Sequence, residues 1–414
     1  MIEHAEMQAV FDECASFVPG TSIAFASVGK HFMRCGSAGA PATSASLFQI
    51  GSITKVVTAT LYSLAVREGK VKADATLGSL WPRKIASAAV GSLTLKELAT
   101  HTSGLPRLPR NLDTRRNDCY SDYSVDDMIA FLNSVSAGEI VDGRGAFQYS
   151  NLGYALLGQS VAAALDSTFA EAVVDRVLVP LGMSCSIVAV RRTTVPSALM
   201  PGFTADGQPA DAWTFDAFAP AGAIESTCAD VAKFVRASLR AREPVGETIR
   251  ALARQPVTIG EAMGWASYGP HVRWHNGQTG GFHAMVAVDF HKEAGVVALW
   301  NAACDLDDAC LFALGTTPAY RKRPRGEEPD PISSTALVGS YDGCLGPFAV
   351  SVDERMLTLS GKVYGTYRLY YESRNSLFSK VVDSGYDVVR DGDGAVIGLN
   401  ERYGAFPMRF APRR

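Results

Sequence analysis

Between Ser52 and Gly69 the apolar residues Ile53, Val57, Leu61, Leu64 and Ala65 recur at helical spacing, and Gly69 closes the run as a C′ glycine does. A helix this apolar is expected to be buried, so the remaining chain must fold around it. Its first turn holds Ser52 and, three residues on, Lys55. Positions i and i+3 share a helix face, so the hydroxyl and the amine can meet. The free N–H groups and dipole of a helix start favour developing negative charge there. A serine hydroxyl is a poor nucleophile until a base takes its proton, and burial of Lys55 would favour the neutral amine a base requires. The same pattern also fits a helix N-cap followed by an ordinary lysine.

The 414 residues allow two or three domains, and 47% hydrophobic with 20% charged residues is the profile of a soluble globular protein. A net charge of −3 and a pI near 6.2 argue against a nucleic-acid partner. The basic run Arg321 to Arg325 is followed at once by Glu327, Glu328 and Asp330 and reads as a solvated linker. Eight scattered cysteines form no Cys-x-x-Cys pair and no His/Cys metal pattern, which suits reduced, mostly buried thiols. The first residues lack a basic segment followed by an apolar run, so no signal peptide is expected and a cytoplasmic location follows; a trimmed periplasmic protein would look the same. No apolar run approaches the roughly 18 residues of a membrane span.

In chain order, residues 5–16 read as a helix with Ala5, Val10, Phe11 and Cys14 on one face. Ser22 to Val28 and His31 to Cys35 read as a hairpin turning at Gly29-Lys30, and Gly36 to Ser46 as a flexible loop. Thr94, Ser124 and Thr227 are expected helix caps. His101 reads as a structural loop histidine, and residues 107–122 as an exposed excursion. Tyr149 and Asn151 place a phenol and an amide on one side of an extended or turn segment. A phenolate beside an ammonium is a competent base for a serine hydroxyl, and Asn151 could hold a substrate carbonyl or Lys55. His275-Asn276-Gly277 reads as a strand end whose glycine allows close backbone approach. The N–H of Gln278 could join that of Ser52 to hold an oxyanion. Met285 to Phe290 and Gly295 to Trp300 form a second hairpin.

Ser52-x-x-Lys55, Tyr149-x-Asn151 and His275-x-Gly277, in that order, resemble the serine β-lactamase and penicillin-binding-protein superfamily, most closely its class C branch of esterases and D-amino-acid-specific peptidases. His101-Thr102-Ser103-Gly104-Leu105, Pro180-Leu181-Gly182-Met183 and Gly277-Gln278-Thr279-Gly280-Gly281-Phe282 support the likeness, which covers about residues 8–316. The resemblance implies an α+β fold: an antiparallel sheet of five or more strands, shared by both hairpins and flanked by helices, plus an all-helical subdomain. It implies Ser52 as acyl-enzyme nucleophile, Lys55 and Tyr149 as the proton-handling pair, Asn151, His275, Gly277 and Gln278 on the substrate side, and no metal or cofactor. Class C β-lactamases carry Lys-Thr-Gly where this chain has His275-Asn276-Gly277. A histidine with an ordinary pKa near 6.5 is mostly neutral at pH 7 and attracts a carboxylate less than lysine does. That favours a carboxylesterase or D-amino-acid-specific peptidase, with weak or no β-lactamase activity, acting on a small molecule or short peptide. The alternative is a penicillin-binding sensor that acylates without turnover.

The expected domains are a hydrolase domain over 1–316, a linker over 317–334, and a small all-β barrel over 335–414 that resembles a lipocalin-like tail. In the barrel the apolar runs Phe348 to Val352, Met356 to Leu359, Tyr367 to Tyr371, Leu377-Phe378, Tyr386 to Val389 and Val396 to Leu399 alternate with turn signals. Asp391 to Gly394 is an expected hairpin turn.

Overall fold

Packing around the apolar helix α2 (Ile53–Arg67) organises the larger part of the chain: twelve of its residues are buried, and Gly69 beyond its end takes φ +70°. The structure, a computed structural model, describes all residues except 82–83, 115–117, 137, 139–142, 256–260, 319, 321–330, 345, 354–355, 362–364, 374, 383 and 404–407. The chain divides into two units, Met1–Pro318 and Ala319–Arg414.

In the first unit, α1 (His4–Ser16) leads into β1 (Ser22–Gly29) and β2 (Met33–Gly39). The helix buries Met7, Val10, Phe11, Cys14 and Ala15, whereas Ala5, expected on that face, is exposed. Strand β2 runs four residues beyond the expected Cys35, because Gly36 to Gly39 continue the antiparallel ladder down to the pair Ser22 and Gly39. Short strands β3 (Phe48–Gln49), β4 (Ile187–Val188) and β5 (Ile224–Ser226) form a separate small sheet beside α2. The helical part includes α3 (Val125–Ser134) and α4 (Asn151–Ala164). A single turn, α5 (Ala219–Gly222), precedes β5, and α6 (Cys228–Arg240) and α7 (Pro244–Ala253) follow it. The expected caps form: Thr94, Ser124 and Thr227 oxygens accept from Glu97, Asp127 and Asp230 N–H groups.

The main sheet continues with β6 (Glu261–Ala262), β7 (Trp265–Tyr268), β8 (Val272–Gln278), β9 (His283–Asp289) and β10 (Ala294–Trp300). Its seven strands run in the order β2-β1-β10-β9-β8-β7-β6, every pair antiparallel. The two hairpins therefore share one sheet, joined from Ile23 opposite Trp300 to Gly29 opposite Ala294. Period-two alternation splits the layers. Phe25 meets Phe11 of α1 at 4.8 Å, while Ala24, Ala26 and Val28 join the core that α2 and α6 enter from the other face. The helix α8 (Asp307–Ala313) closes this unit.

In the second unit, α9 (Pro331–Leu337) occupies part of the stretch expected as linker, proline taking its favoured place at the first helical position. Most of the expected linker lies outside the described residues. Eight antiparallel strands follow in sequence order: β11 (Gly339–Gly343), β12 (Gly346–Asp353), β13 (Met356–Gly361), β14 (Gly365–Ser373), β15 (Ser376–Phe378), β16 (Ser384–Arg390), β17 (Val396–Tyr403) and β18 (Arg409–Pro412). A bridge between Tyr341 and Arg413, with Arg414 N donating to Ser340 O at 2.8 Å, ties the last strand to the first and nearly closes a barrel. Leu357, Leu359, Leu369, Leu377, Tyr386 and Leu399 fill its core. The Asp391 turn forms as expected, with Gly394 at φ +86°.

No helix among the described residues is long and apolar enough to cross a membrane. None of the eight cysteines forms a disulfide; five are buried, and Cys35, Cys185 and Cys344 are exposed.

Candidate active site

Ser52 stands at the N-cap of α2, directly after Gly51 at φ +49°. One turn on, Lys55 has no exposed surface. Its Nζ donates to Ser52 Oγ at 2.7 Å and to the Ala221 carbonyl oxygen at 2.9 Å. The acceptor from α5 is held in place by neighbours of Lys55 on the same helix. Thr58 Oγ1 donates to Pro220 O at 2.8 Å, and Ile224 N donates to Thr54 Oγ1 at 3.2 Å. Successive turns of α2 thus grip the segment 220–224, and Lys55 is the grip that also reaches Ser52.

Tyr149 approaches from the segment before α4. Lys55 Nζ lies 4.9 Å from its ring centroid, within cation–π range. Behind it, His101 lies 4.6 Å from the Tyr149 ring and 4.8 Å from that of Tyr154. The fully buried His101 accepts from Ser150 N at 2.9 Å through Nδ1. This agrees with its reading as a structural histidine that shapes the Tyr149 segment.

The opposite wall is β8. A Cβ added at Gly277 would lie 1.9 Å from Ile50 O and 2.9 Å from Ser52 N, and one at Gly51 would lie 2.6 Å from Gln278 N. The two glycines let the strand and the helix start touch, and Ser52 and Gln278 line one narrow cleft of about 30 Å³. Asn151 lines it too, and its Nδ2 donates to Tyr120 Oη at 3.3 Å. The rest of the wall is Tyr120, Trp213, Phe215, Phe218, Ala221 and Gly222, so no charged side chain is among the described lining residues. A lysine amine against a serine hydroxyl, with a phenol beside it and Ser52 and Gln278 lining one cleft, is an arrangement that can do acyl transfer.

His275, expected on the substrate side, is 3% exposed, and its Nδ1 sits against the Asn276 carbonyl oxygen. One expectation needs correction. The stretch 107–122 is not simply exposed: Leu112, Cys119 and Tyr120 are buried. Asp118 draws it inward by accepting from Thr214 N and Oγ1 at 2.9 and 3.0 Å, which lays Tyr120 against Phe215 at 5.3 Å. Burial first, and the neighbouring Cys119 next, push the Tyr120 hydroxyl up to about 12. Tyr120 therefore serves as a neutral hydrogen-bonding wall. Sequence reasoning missed it, and the only signal was one tyrosine in a polar stretch.

On the other side of β8, Asp307 gathers Asn276 Nδ2 at 2.6 Å and His283 Nε2 at 3.0 Å. His283 pairs directly across from Gln278, so this carboxylate braces the strand end that carries the Gln278 N–H. His283, Asp305 and Asp307 place their donor atoms within 4.8 Å of one another. Much of that capacity is engaged internally, since Asp305 also accepts from Asp307 N at 2.6 Å. Burial, then the charge of Asp305, raises the Asp307 carboxyl above 3.8. A carboxyl raised on folding contributes its full stability in acid and loses it as pH climbs from 3.8 through the raised value. Asp307→Asn is expected to flatten that decline in thermal-melt pH profiles. It should also cost about 1–3 kcal/mol near neutrality, because one donor loses its acceptor.

A profile of the Beta-lactamase family matches residues 10–310. Penicillin-binding protein 4 of Amycolatopsis lactamdurans is 29% identical over 382 residues, spanning 82% of this chain and 98% of that one. A D-alanine carboxypeptidase from Burkholderia cenocepacia superposes with TM-score 0.61 at 22% identity, over 76% of this chain and all of that one. A crystal structure of SurE superposes with TM-score 0.62 at 21% identity, over 99% and 98% of the two chains. On the family match, which spans well over half its length, the chain belongs to the beta-lactamase family.

Proposed function

We propose that this protein is a serine hydrolase that forms an acyl-enzyme on Ser52 and cleaves an ester or amide. The observation that carries the reading is the 2.7 Å contact of the fully buried Lys55 Nζ with Ser52 Oγ at the mouth of a helix. On this reading Ser52 Oγ attacks the acyl carbon while its proton passes to the Lys55–Tyr149 pair. The carbonyl oxygen gathers negative charge against the N–H groups of Ser52 and Gln278. The leaving group departs with the proton, and water then attacks the ester on Ser52 to return the free enzyme. Asn151 orients a substrate carbonyl, Gly277 permits the close approach of β8, and the buried His275 shapes that wall.

The preferred substrates are esters or short D-amino-acid peptides rather than β-lactams. The described cleft wall is aromatic and uncharged, and His275 stands where class C β-lactamases carry a lysine. The test is steady-state turnover of p-nitrophenyl butyrate, a D-alanyl dipeptide and benzylpenicillin. Turnover of the ester or the peptide well above that of penicillin is expected. A long-lived penicillin adduct with no turnover of any of the three would instead make the protein a penicillin-binding sensor.

A further inference from the structure

The described cleft wall offers a substrate no charge, yet a cation stands beside Tyr149 and the start of α4. Arg107 belongs to the segment that follows His101. Its carbonyl oxygen accepts from Asn151 N at 3.0 Å and Leu152 N at 3.3 Å, so its backbone is fastened to the first turn of α4 beside Asn151. The side chain is exposed, and its guanidinium carbon lies 5.1 Å from the Tyr149 ring centroid. Its charge also acts on Tyr120: burial and then Cys119 push that hydroxyl up, and the charge of Arg107 pulls it partly back. Arg107 is thus placed by Tyr149 and by the start of α4, where Asn151 lines the Ser52 cleft. Among the described residues no carboxylate forms an ion pair with it.

An exposed guanidinium held against an aromatic ring keeps its fork of N–H donors in a limited set of orientations, suited to a carboxylate. Where class C β-lactamases carry a lysine, this strand holds the buried His275. We infer that Arg107 is a specificity-determining residue that receives a carboxylate on the acyl portion of the substrate, and that the preferred substrates are acyl compounds carrying that anion. The inference rests on the acyl-enzyme reading of Ser52. The acyl side is assigned because the Arg107 carbonyl oxygen holds Asn151 N, and Asn151 is the group read as holding the substrate carbonyl.

The experiment compares two probes that bond reversibly to an active-site serine, phenylboronic acid and 3-carboxyphenylboronic acid. Affinities are measured by calorimetry on the full-length protein and on Arg107→Ala and Arg107→Lys. The wild type is expected to favour the carboxylated probe by about tenfold or more, with the preference shrinking as salt is raised. The ratio should fall toward one in Arg107→Ala and be partly restored in Arg107→Lys. A ratio that is the same in all three proteins overturns the inference. So does an equal loss for both probes, which would make Arg107 a partner of Tyr149 only. If neither probe binds the wild type or protects Ser52 from a fluorophosphonate, the Ser52 reading has failed and the inference falls with it. If the neutral probe binds and the carboxylate adds nothing, the Arg107 inference alone has failed.

Discussion

Lys55→Met is expected to slow acylation of Ser52 by about 100- to 10,000-fold, the range lost with a positioned proton-transfer group. The protein should remain folded. Methionine matches the length of the lysine stem and is at home in a site with no exposed surface. The substitution leaves the Ala221 carbonyl oxygen without the donor now 2.9 Å away, a cost of about 1–3 kcal/mol. Removing a buried amine offsets part of that cost, since any charge it carries is held out of water. Stopped-flow release of p-nitrophenolate gives the acylation rate, and a thermal melt gives the control. An unchanged acylation rate in a folded Lys55→Met protein would remove Lys55 from the proton path.

Gly277→Ala is expected to be as damaging by a different route. Its Cβ would fall 1.9 Å from Ile50 O, a main-chain atom that cannot swing aside. Strand β8 must therefore move away from the start of α2. The displacement carries the N–H of Gln278 off its position, and loss of one such donor costs about 100- to 1,000-fold in rate. Overpacking of this kind also destabilises by about 1–3 kcal/mol. The expected result is a lowered melting temperature together with a fall in kcat that exceeds any change in KM. Near-normal kcat would mean that Gln278 N–H does not hold the oxyanion.

The parts of the fold and site that were legible in the sequence are those written by local periodicity. Helix α2, both hairpins and the caps at Thr94, Ser124 and Thr227 follow from spacing over a few residues. Six strands of the barrel were visible as apolar runs for the same reason. Its first and last, β11 and β18, were not, because they hold few apolar residues and are fixed by pairing with neighbours, including each other across the closure. In the site, Ser52 and Lys55 meet because one helix turn brings them together. The groups that complete the site come from far away: Ala221 is 166 positions from Lys55, and Tyr120 is 31 from Asn151. Nothing near Ala221 marks its carbonyl oxygen as the partner of an amine. Residues 107–122 looked exposed because their composition is polar, yet one of those polar residues, Asp118, is what anchors the stretch inward. Strand alternation puts His275 on the same face as Gly277, which presses on the α2 start, and its side chain is buried there.

The central claim is that Ser52 carries the acyl group, and intact-mass measurement after labelling tests it most directly. Wild type and Ser52→Ala are each incubated with a fluorophosphonate and with p-nitrophenyl butyrate, and the labelled protein is digested to locate the adduct. The account predicts one fluorophosphonate adduct on the wild type, mapping to the peptide that contains Ser52, and none on Ser52→Ala. An adduct of equal extent on Ser52→Ala, or one mapping to another residue, would contradict it.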